Sequence, residues 1–322
     1  MKSLVWLVRL PSSMNILVTG ATGFIGNEVV LALRKHSLKL VSRKGITDSV
    51  HDSYEKDISG KTSFYNCLEG VETIVHTAAR VHQLQDKKGE GGTDYYKVNR
   101  EGTLNLARQA ANSGVGHFVF LSSIKVNGEN TAPGKAFSPF DKPAPTDHYA
   151  RSKYEAETGL LEISKETGMN VSIIRPPLVY GPGVKANFAM LLRAVKMGLP
   201  LPVGSATNKR SLVSIWNLVD LIVTCIEQQA LQTGVYLVSD GDDLSTPELI
   251  RLMYKALGKK PRLISVDPRV IKGITLIVGK QLVFERLYGS LQADISETRD
   301  MLDWSPPLTV YESLIRTVQH KP

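Results

Sequence analysis

Cysteine is almost absent: Cys67 and Cys225 are the whole complement of a 322-residue chain. Two thiols so far apart in sequence offer neither a disulfide framework nor a metal-binding cluster, and they point to a reducing compartment. Long apolar runs are scarce as well. The stretch Leu4 to Leu10 is broken by Arg9 and closed by Pro11, too short for the apolar region and cleavage site of a signal peptide. A strand-like run begins at Met14, so residues 1–13 read as a dispensable tail. The most apolar later stretch, Val270 to Val283, carries Lys272 and Lys280 and falls short of the ~18 residues a membrane span needs. It suits a helix packed on its own domain or one lying in a membrane interface. There is also no zinc-finger spacing, heptad basic region or long Lys/Arg block behind the net charge of +8. A small anion accounts for that charge without nucleic acid, and the expected location is cytoplasmic.

What is present is enough apolar material for a large core. The chain is 42% hydrophobic and 22% charged, with 26 glycines and 16 prolines, which excludes disorder and collagen. Runs rich in Val, Ile and Phe recur at Asn15 to Thr19, Leu38 to Ser42, Thr73 to His76, His117 to Leu121 and Asn170 to Ile174. Between them, Phe24 to Arg34, Tyr95 to Ser113 and His148 to Thr167 space apolar residues by three and four. Strand and helix in alternation predict an α/β fold, a doubly wound parallel sheet of Rossmann type over residues 14–176. After Arg175 the prolines and glycines of Pro176-Pro177, Gly181-Pro182-Gly183 and Leu199-Pro200-Leu201-Pro202 read as loops around a pocket. Residues 177–322 would mainly form a smaller C-terminal α/β substrate lobe, with segments returning to the first domain. One helix in it is well signalled: Ser245 as N-cap, Pro247 in the first turn, Glu248 three residues on, ending at Leu257.

Gly20, Gly23 and Gly26 stand at intervals of three between the first strand and the first helix. Glycine there makes the tight turn, lets the backbone approach a pyrophosphate and allows close helix–strand packing, while the helix N-terminus offers free N–H groups. No Gly-Lys-Ser/Thr closes the motif, which disfavours an NTPase loop. An NAD site would place Asp or Glu about 20 residues on, yet the second strand ends Leu40-Val-Ser42-Arg43-Lys44. A hydroxyl and two cations suit a 2′-phosphate, so NADP is expected over NAD, unless Arg43 stacks on adenine or sits in solvent. Asp57 and Ile58, after a third strand, are placed to reach the adenine edge.

Tyr149 and Lys153 are four residues apart in a helical pattern, hence on one face. A phenol of pKa ~10 needs a neighbouring ammonium to act as an acid-base group at neutrality. The fifth strand ends in Phe120-Leu121-Ser122-Ser123, bringing a hydroxyl to the carboxyl edge of the sheet, where ligands bind.

The glycine turn, His76-Thr-Ala-Ala79, Val98-Asn99, Ser122-Ser123 and Tyr149-x-x-x-Lys153 together resemble the extended short-chain dehydrogenase/reductase superfamily, in its nucleotide-sugar epimerase, dehydratase and reductase branch. The likeness runs from about Met14 to about Thr317. It implies Tyr149 as acid-base, Lys153 lowering its pKa and binding the nicotinamide ribose, and Ser123 on the reacting oxygen. Ser123 is placed by counting back from Gly128 in the family's Ser-x-x-Val-Tyr-Gly stretch, where Asn127 replaces the tyrosine. Implied cofactor contacts are Phe24, Ile25, Ala78, Ala79, Arg80, Asn99 and Pro176 beside the glycines, Tyr149 and Lys153. A UDP-sugar would be held by Asn187 and Arg210, with Arg286 as a second arm and Leu201 beside the uracil. Lys125 and His82 depart from the epimerase pattern; Lys125 would sit in the sugar pocket or turn outward. The resemblance also implies a homodimer through the helices around Tyr95 and His148.

Within that branch the sequence is most like bacterial UDP-sugar enzymes of surface polysaccharide, O-antigen and lipopolysaccharide synthesis. These include reductases of UDP-4-keto-6-deoxy-N-acetylglucosamine and proteins like UDP-glucose 4-epimerase. The basic end of the second strand points to NADPH and net reduction at C4; the alternative is a UDP-sugar 4-epimerase with tightly bound NAD. A dinucleotide sensor without turnover could dispense with Tyr149 and Lys153, and both are retained.

Overall fold

Each of the first strand's core residues buries on the face its parity dictates: Ile16 and Val18 join one apolar cluster and Leu17 the other. That is the signature of a sheet covered on both sides. The computed structural model describes residues 13–46, 50–81, 92–228, 232–277, 279 and 281–319; the expected tail up to residue 12, and His82, lie outside them. In chain order its strands are β1 (Asn15–Thr19), β2 (Ser37–Ser42), β3 (Asp52–Glu55), β4 (Thr73–His76), β5 (His117–Leu121), β6 (Asn170–Arg175), β7 (Leu178–Tyr180), β8 (Leu212–Ser214) and β9 (Gly234–Leu237). Seven of them form one sheet in the order β3-β2-β1-β4-β5-β6-β9, with every pairing parallel. This is a Rossmann-like α/β fold, and strand order reverses beside β1, where such sheets bind ligands.

The helices are α1 (Phe24–Ala32), α2 (Tyr65–Leu68), α3 (Gly92–Tyr95), α4 (Thr103–Asn112), α5 (His148–Thr167), α6 (Ala186–Lys196), α7 (Ile215–Glu227), α8 (Thr246–Ala256), α9 (Pro268–Ile277), α10 (Gln281–Tyr288), α11 (Ser296–Leu302) and α12 (Val310–Gln319). α1 and α7 cover one face of the large sheet through Val29, Leu218, Leu221 and Ile222. α4 and α5 cover the other through Leu106, Ala110, Ala156 and Leu160. A third cluster, with Tyr180, Phe188, Ile250, Tyr254 and Leu314, forms the core of the C-terminal elements.

Three features differ from the sequence expectation. The helix over 95–113 starts at α3 and widens into a π-helical segment, Tyr96–Gly102, before α4; apolar spacing does not distinguish that wider turn, which often marks function. The region after Arg175 is more than loops. β7 and β8 pair with each other, and α7 returns to the large sheet; strands of three residues are too short to carry a period. The stretch after Val270 forms α9, which packs on α10 and has no buried residue, so it is not packed into its domain's core. Among the described residues no helix is long and apolar enough to cross a membrane. The capping box at α8 is as the spacing predicts, with Ser245 and Glu248 bonded reciprocally.

α5 is fixed by ionic and polar contacts in the sheet interior. Arg175, at the end of β6, gives Glu157 of α5 hydrogen bonds at 3.0 Å from Nε to Oε1 and 2.5 Å from Nη2 to Oε2, and both side chains are almost wholly buried. Ser122 donates to the same carboxylate, and Arg175 Nη1 donates to Asn127 Oδ1 at 3.0 Å. Removing one partner of such a pair strands the other charge, at about 3–5 kcal/mol. Glu157→Ala should therefore lower the unfolding free energy by that order and with it the urea midpoint, and Glu157→Leu combined with Arg175→Met should recover much of it. A single substitution that leaves the midpoint unchanged contradicts this account.

Candidate active site

The glycine turn has no room for side chains. Gly20 holds φ at +71°, and a Cβ there would meet Ala78 N at 2.7 Å; at Gly26 it would lie 2.1 Å from Gly20 O. Gly23 N donates to Gly20 O at 2.8 Å. Gly23 also caps α1, with no side-chain cap and no acid in the first turn. The helix therefore presents its N–H groups and positive end to the crevice without a resident anion, a cradle that fits a dinucleotide pyrophosphate. Phe24 and Ile25 open that helix, directly after the turn.

At the end of β2, buried Ser42 donates to Lys44 O, which shapes the turn that leaves Arg43 exposed. Asp57 is exposed beyond β3 and its carbonyl accepts from Thr62 Oγ1 at 2.8 Å. Ile58 is buried against Gly102 of the π-helical segment. On the other side of β1, Thr77 Oγ1 donates to Thr19 O at 2.7 Å, which carries the chain into Ala78, Ala79 and Arg80. Asn99, in the π-helical segment, accepts from Arg80 N at 2.8 Å and donates to Arg80 O at 3.0 Å and to Ser152 Oγ at 3.0 Å. It thus ties the loop after β4 to the helix that carries Tyr149.

α5 begins at Asp147, whose Oδ1 accepts from Ala150 N at 2.6 Å, and this cap sets the first turn on which Tyr149 stands. Burial pushes the Tyr149 phenol up to about 12; the hydrogen bond with Ser123 and the Lys125 cation pull it down, and the Asp147 carboxylate pushes it up. One turn on, Lys153 Nζ donates to Leu121 O at 2.8 Å and lies 4.4 Å from the centre of the Phe120 ring. Burial brings its ammonium down to about 7, with Glu157 opposing. His76, wholly buried between Thr19 and Thr103 at 2.7 and 2.9 Å, is lowered by burial and by Lys153 to about 3 and is neutral. Pro176 O accepts from Ile124 N at 3.0 Å, which backs the Ser123 loop onto the end of β6.

Lys125 is neither free in a sugar pocket nor turned out alone. Its Nζ bonds Glu129 Oε1 at 2.7 Å and Asp147 Oδ2 at 2.8 Å, while its N–H donates to Ser123 Oγ at 3.3 Å. Lys125 is thus a cation acting on the Tyr149 phenol to which spacing alone did not point. On the C-terminal side, Arg210 Nη1 donates to Gly289 O at 3.0 Å; burial and Arg286 lower it, and Glu129 raises it. Glu129, which bonds Lys125, thus also acts on Arg210 through its charge. Asn187 sits in the first turn of α6 after Ala186, whose φ is +56°, and Leu201 is bridged to Leu263; none of the contacts above passes through either. Glu157, Glu129 and Asp147 were not anticipated as parts of the site. Glu157 alone had a local signal, lying one turn beyond Lys153 on the same helix face.

A family model described as the NAD dependent epimerase/dehydratase family matches residues 16–239. The chain belongs to that family. It is similar to the UDP-glucose 4-epimerase of Vibrio cholerae, 47% identical over 316 residues that cover 97% of this chain and 96% of that protein. It is also similar to the N-acetyl-alpha-D-glucosaminyl-diphospho-ditrans,octacis-undecaprenol 4-epimerase of Escherichia coli O157:H7, 26% identical over 322 residues and 95% of each chain. The crystal structure of the UDP-glucuronic acid 4-epimerase of Bacillus cereus in complex with NAD matches with a TM-score of 0.75 at 22% identity, over 94% of this chain and 97% of that one, a likeness of fold.

For this epimerase/dehydratase, two outcomes test the site. Gly26→Ala should weaken dinucleotide binding by roughly tenfold or more, about 1.4 kcal/mol, with circular dichroism unchanged; retention of wild-type affinity, measured by titration, would contradict the cradle. Lys125→Met removes a cation that lowers the phenol pKa, so the pH at which turnover rises should move upward, while Lys125→Arg should keep it near the wild-type position. A pH–rate profile that is the same in all three would remove Lys125 from the site's electrostatics.

Proposed function

We propose that this protein is a UDP-sugar 4-epimerase that works with NAD. The observation that carries the reading is the Ser123–Tyr149–Lys153 grouping at the sheet edge of a chain 47% identical, along nearly its whole length, to a UDP-glucose 4-epimerase. NAD, when bound, supplies reversible hydride transfer at C4 of the sugar. Tyr149 takes the proton of the 4-hydroxyl and later returns it, and Ser123 hydrogen-bonds the same oxygen as it alternates between hydroxyl and carbonyl. Lys153, one turn from Tyr149, contributes positive charge beside the proton-transfer site and a donor for the nicotinamide ribose. Arg210 and Arg286 suit the diphosphate, since guanidinium forks pair with phosphate oxygens in two places. Asn187 and Leu201 would complete the nucleotide side, and Ser42, Arg43, Asp57 and Ile58 the adenosine side.

A second reading rests on one observation, the end of β2. Ser42-Arg43-Lys44 offers cations and no acid, which suits NADPH and a net 4-ketoreduction. The 47% relative weighs toward epimerisation instead.

The deciding measurement is chromatography of nucleotide released from the purified, denatured protein, together with turnover of UDP-glucose in the absence of added cofactor. Expected are retained NAD and formation of UDP-galactose, with Tyr149→Phe slower by about 10²–10⁴. Protein without NAD that turns over only a UDP-4-keto-6-deoxy sugar with NADPH would put the reductase in its place.

A further inference from the structure

α9 presents apolar side chains to solvent where an enzyme lobe has no evident need of them. Val270 and Ile274 are 53% exposed and Ile277 87%. At spacings of four and three they share one helix face, and α10, on which α9 packs, exposes Val283 at 43%. A row of exposed apolar side chains along one helix face marks a candidate contact site.

Charge decides among the occupants. Residues 259–280 contain six lysines and arginines against Asp267 alone, so this short segment holds five of the chain's net eight positive charges. Arg269 and Lys272, on α9 itself, are both exposed. A second copy meeting this surface across a two-fold axis would set these cations against their own equivalents. An anionic bilayer offers the complement: acyl chains for the isoleucine row and phosphate headgroups for the cations around it.

We propose that α9, with the start of α10, is an interfacial element that docks the enzyme on an anionic membrane surface. The helix lies in the plane of the headgroups without spanning the bilayer. This inference stands apart from the reaction assigned above, because none of the residues it uses belongs to the cleft.

The test is cosedimentation of the full chain with vesicles of phosphatidylcholine alone or with roughly one-third phosphatidylglycerol. Wild type should bind only the mixed vesicles and be released by high salt. Ile274→Asp with Ile277→Asp, and separately Arg269→Glu with Lys272→Glu, should each weaken binding roughly tenfold or more. Unchanged circular dichroism and unchanged content of bound dinucleotide keep a folding defect from passing for lost docking. Failure of the wild type to bind, or equal binding by both variants, overturns the proposal. So does a dimer in sedimentation equilibrium that Ile277→Asp dissociates, which would assign the face to a second copy.

Discussion

Glu157 stands two turns beyond Tyr149 on α5, and its carboxylate fastens the helix to the ends of β5 and β6. Arg175 reaches it from β6 and Ser122 from the loop after β5. Asn127, held by the other arm of the same guanidinium, donates to Ser138 O at 2.8 Å. The helix that carries the phenol and the loop that carries Ser123 therefore share one buried anchor. A buried carboxylate tolerates little displacement, because every lost hydrogen bond leaves charge in a poorly solvating interior. The position of Tyr149 relative to Ser123 is inherited from that intolerance.

The electrostatics of the cleft follow from what this anchor leaves in place. Burial works against both members of the Tyr–Lys pair, raising the phenol and lowering the ammonium, so neither is charged at low cost in the unliganded protein. Lys153 rests on Leu121 O and the face of Phe120. Lys125 meanwhile stands between Glu129 and Asp147, and Asp147 is the cap of the tyrosine's own helix. Arg210 is lowered by burial and by Arg286, and the charge of Glu129 opposes this.

Much of this was legible in the residue order. The five strands at Asn15, Leu38, Thr73, His117 and Asn170, the helix at His148, and the capping box at Ser245 lie where apolar spacing and cap chemistry put them. So does the glycine turn, because a tight turn and a close approach leave no alternative residue. The π-helical segment around Asn99 was hidden, since its apolar positions fit an ordinary helix equally well. The C-terminal elements were understated for another reason: β7 and β8 each span three residues, and α7, apolar nearly all round, shows its place only by packing against α1.

Residue order alone determined the family-bearing features, the glycine turn and the placement of Lys153 one turn beyond Tyr149, because both arise within a single turn or helix, where spacing dictates geometry. Tertiary structure alone decided that Lys125 acts on the phenol as well, what holds α5 in place, and that the apolar face of α9 remains in solvent. Lys125 meets Asp147, Glu157 meets Arg175 and Arg210 meets Gly289 across separations that no local period spans. Such contacts exist only once the crossovers of the sheet have brought their elements together.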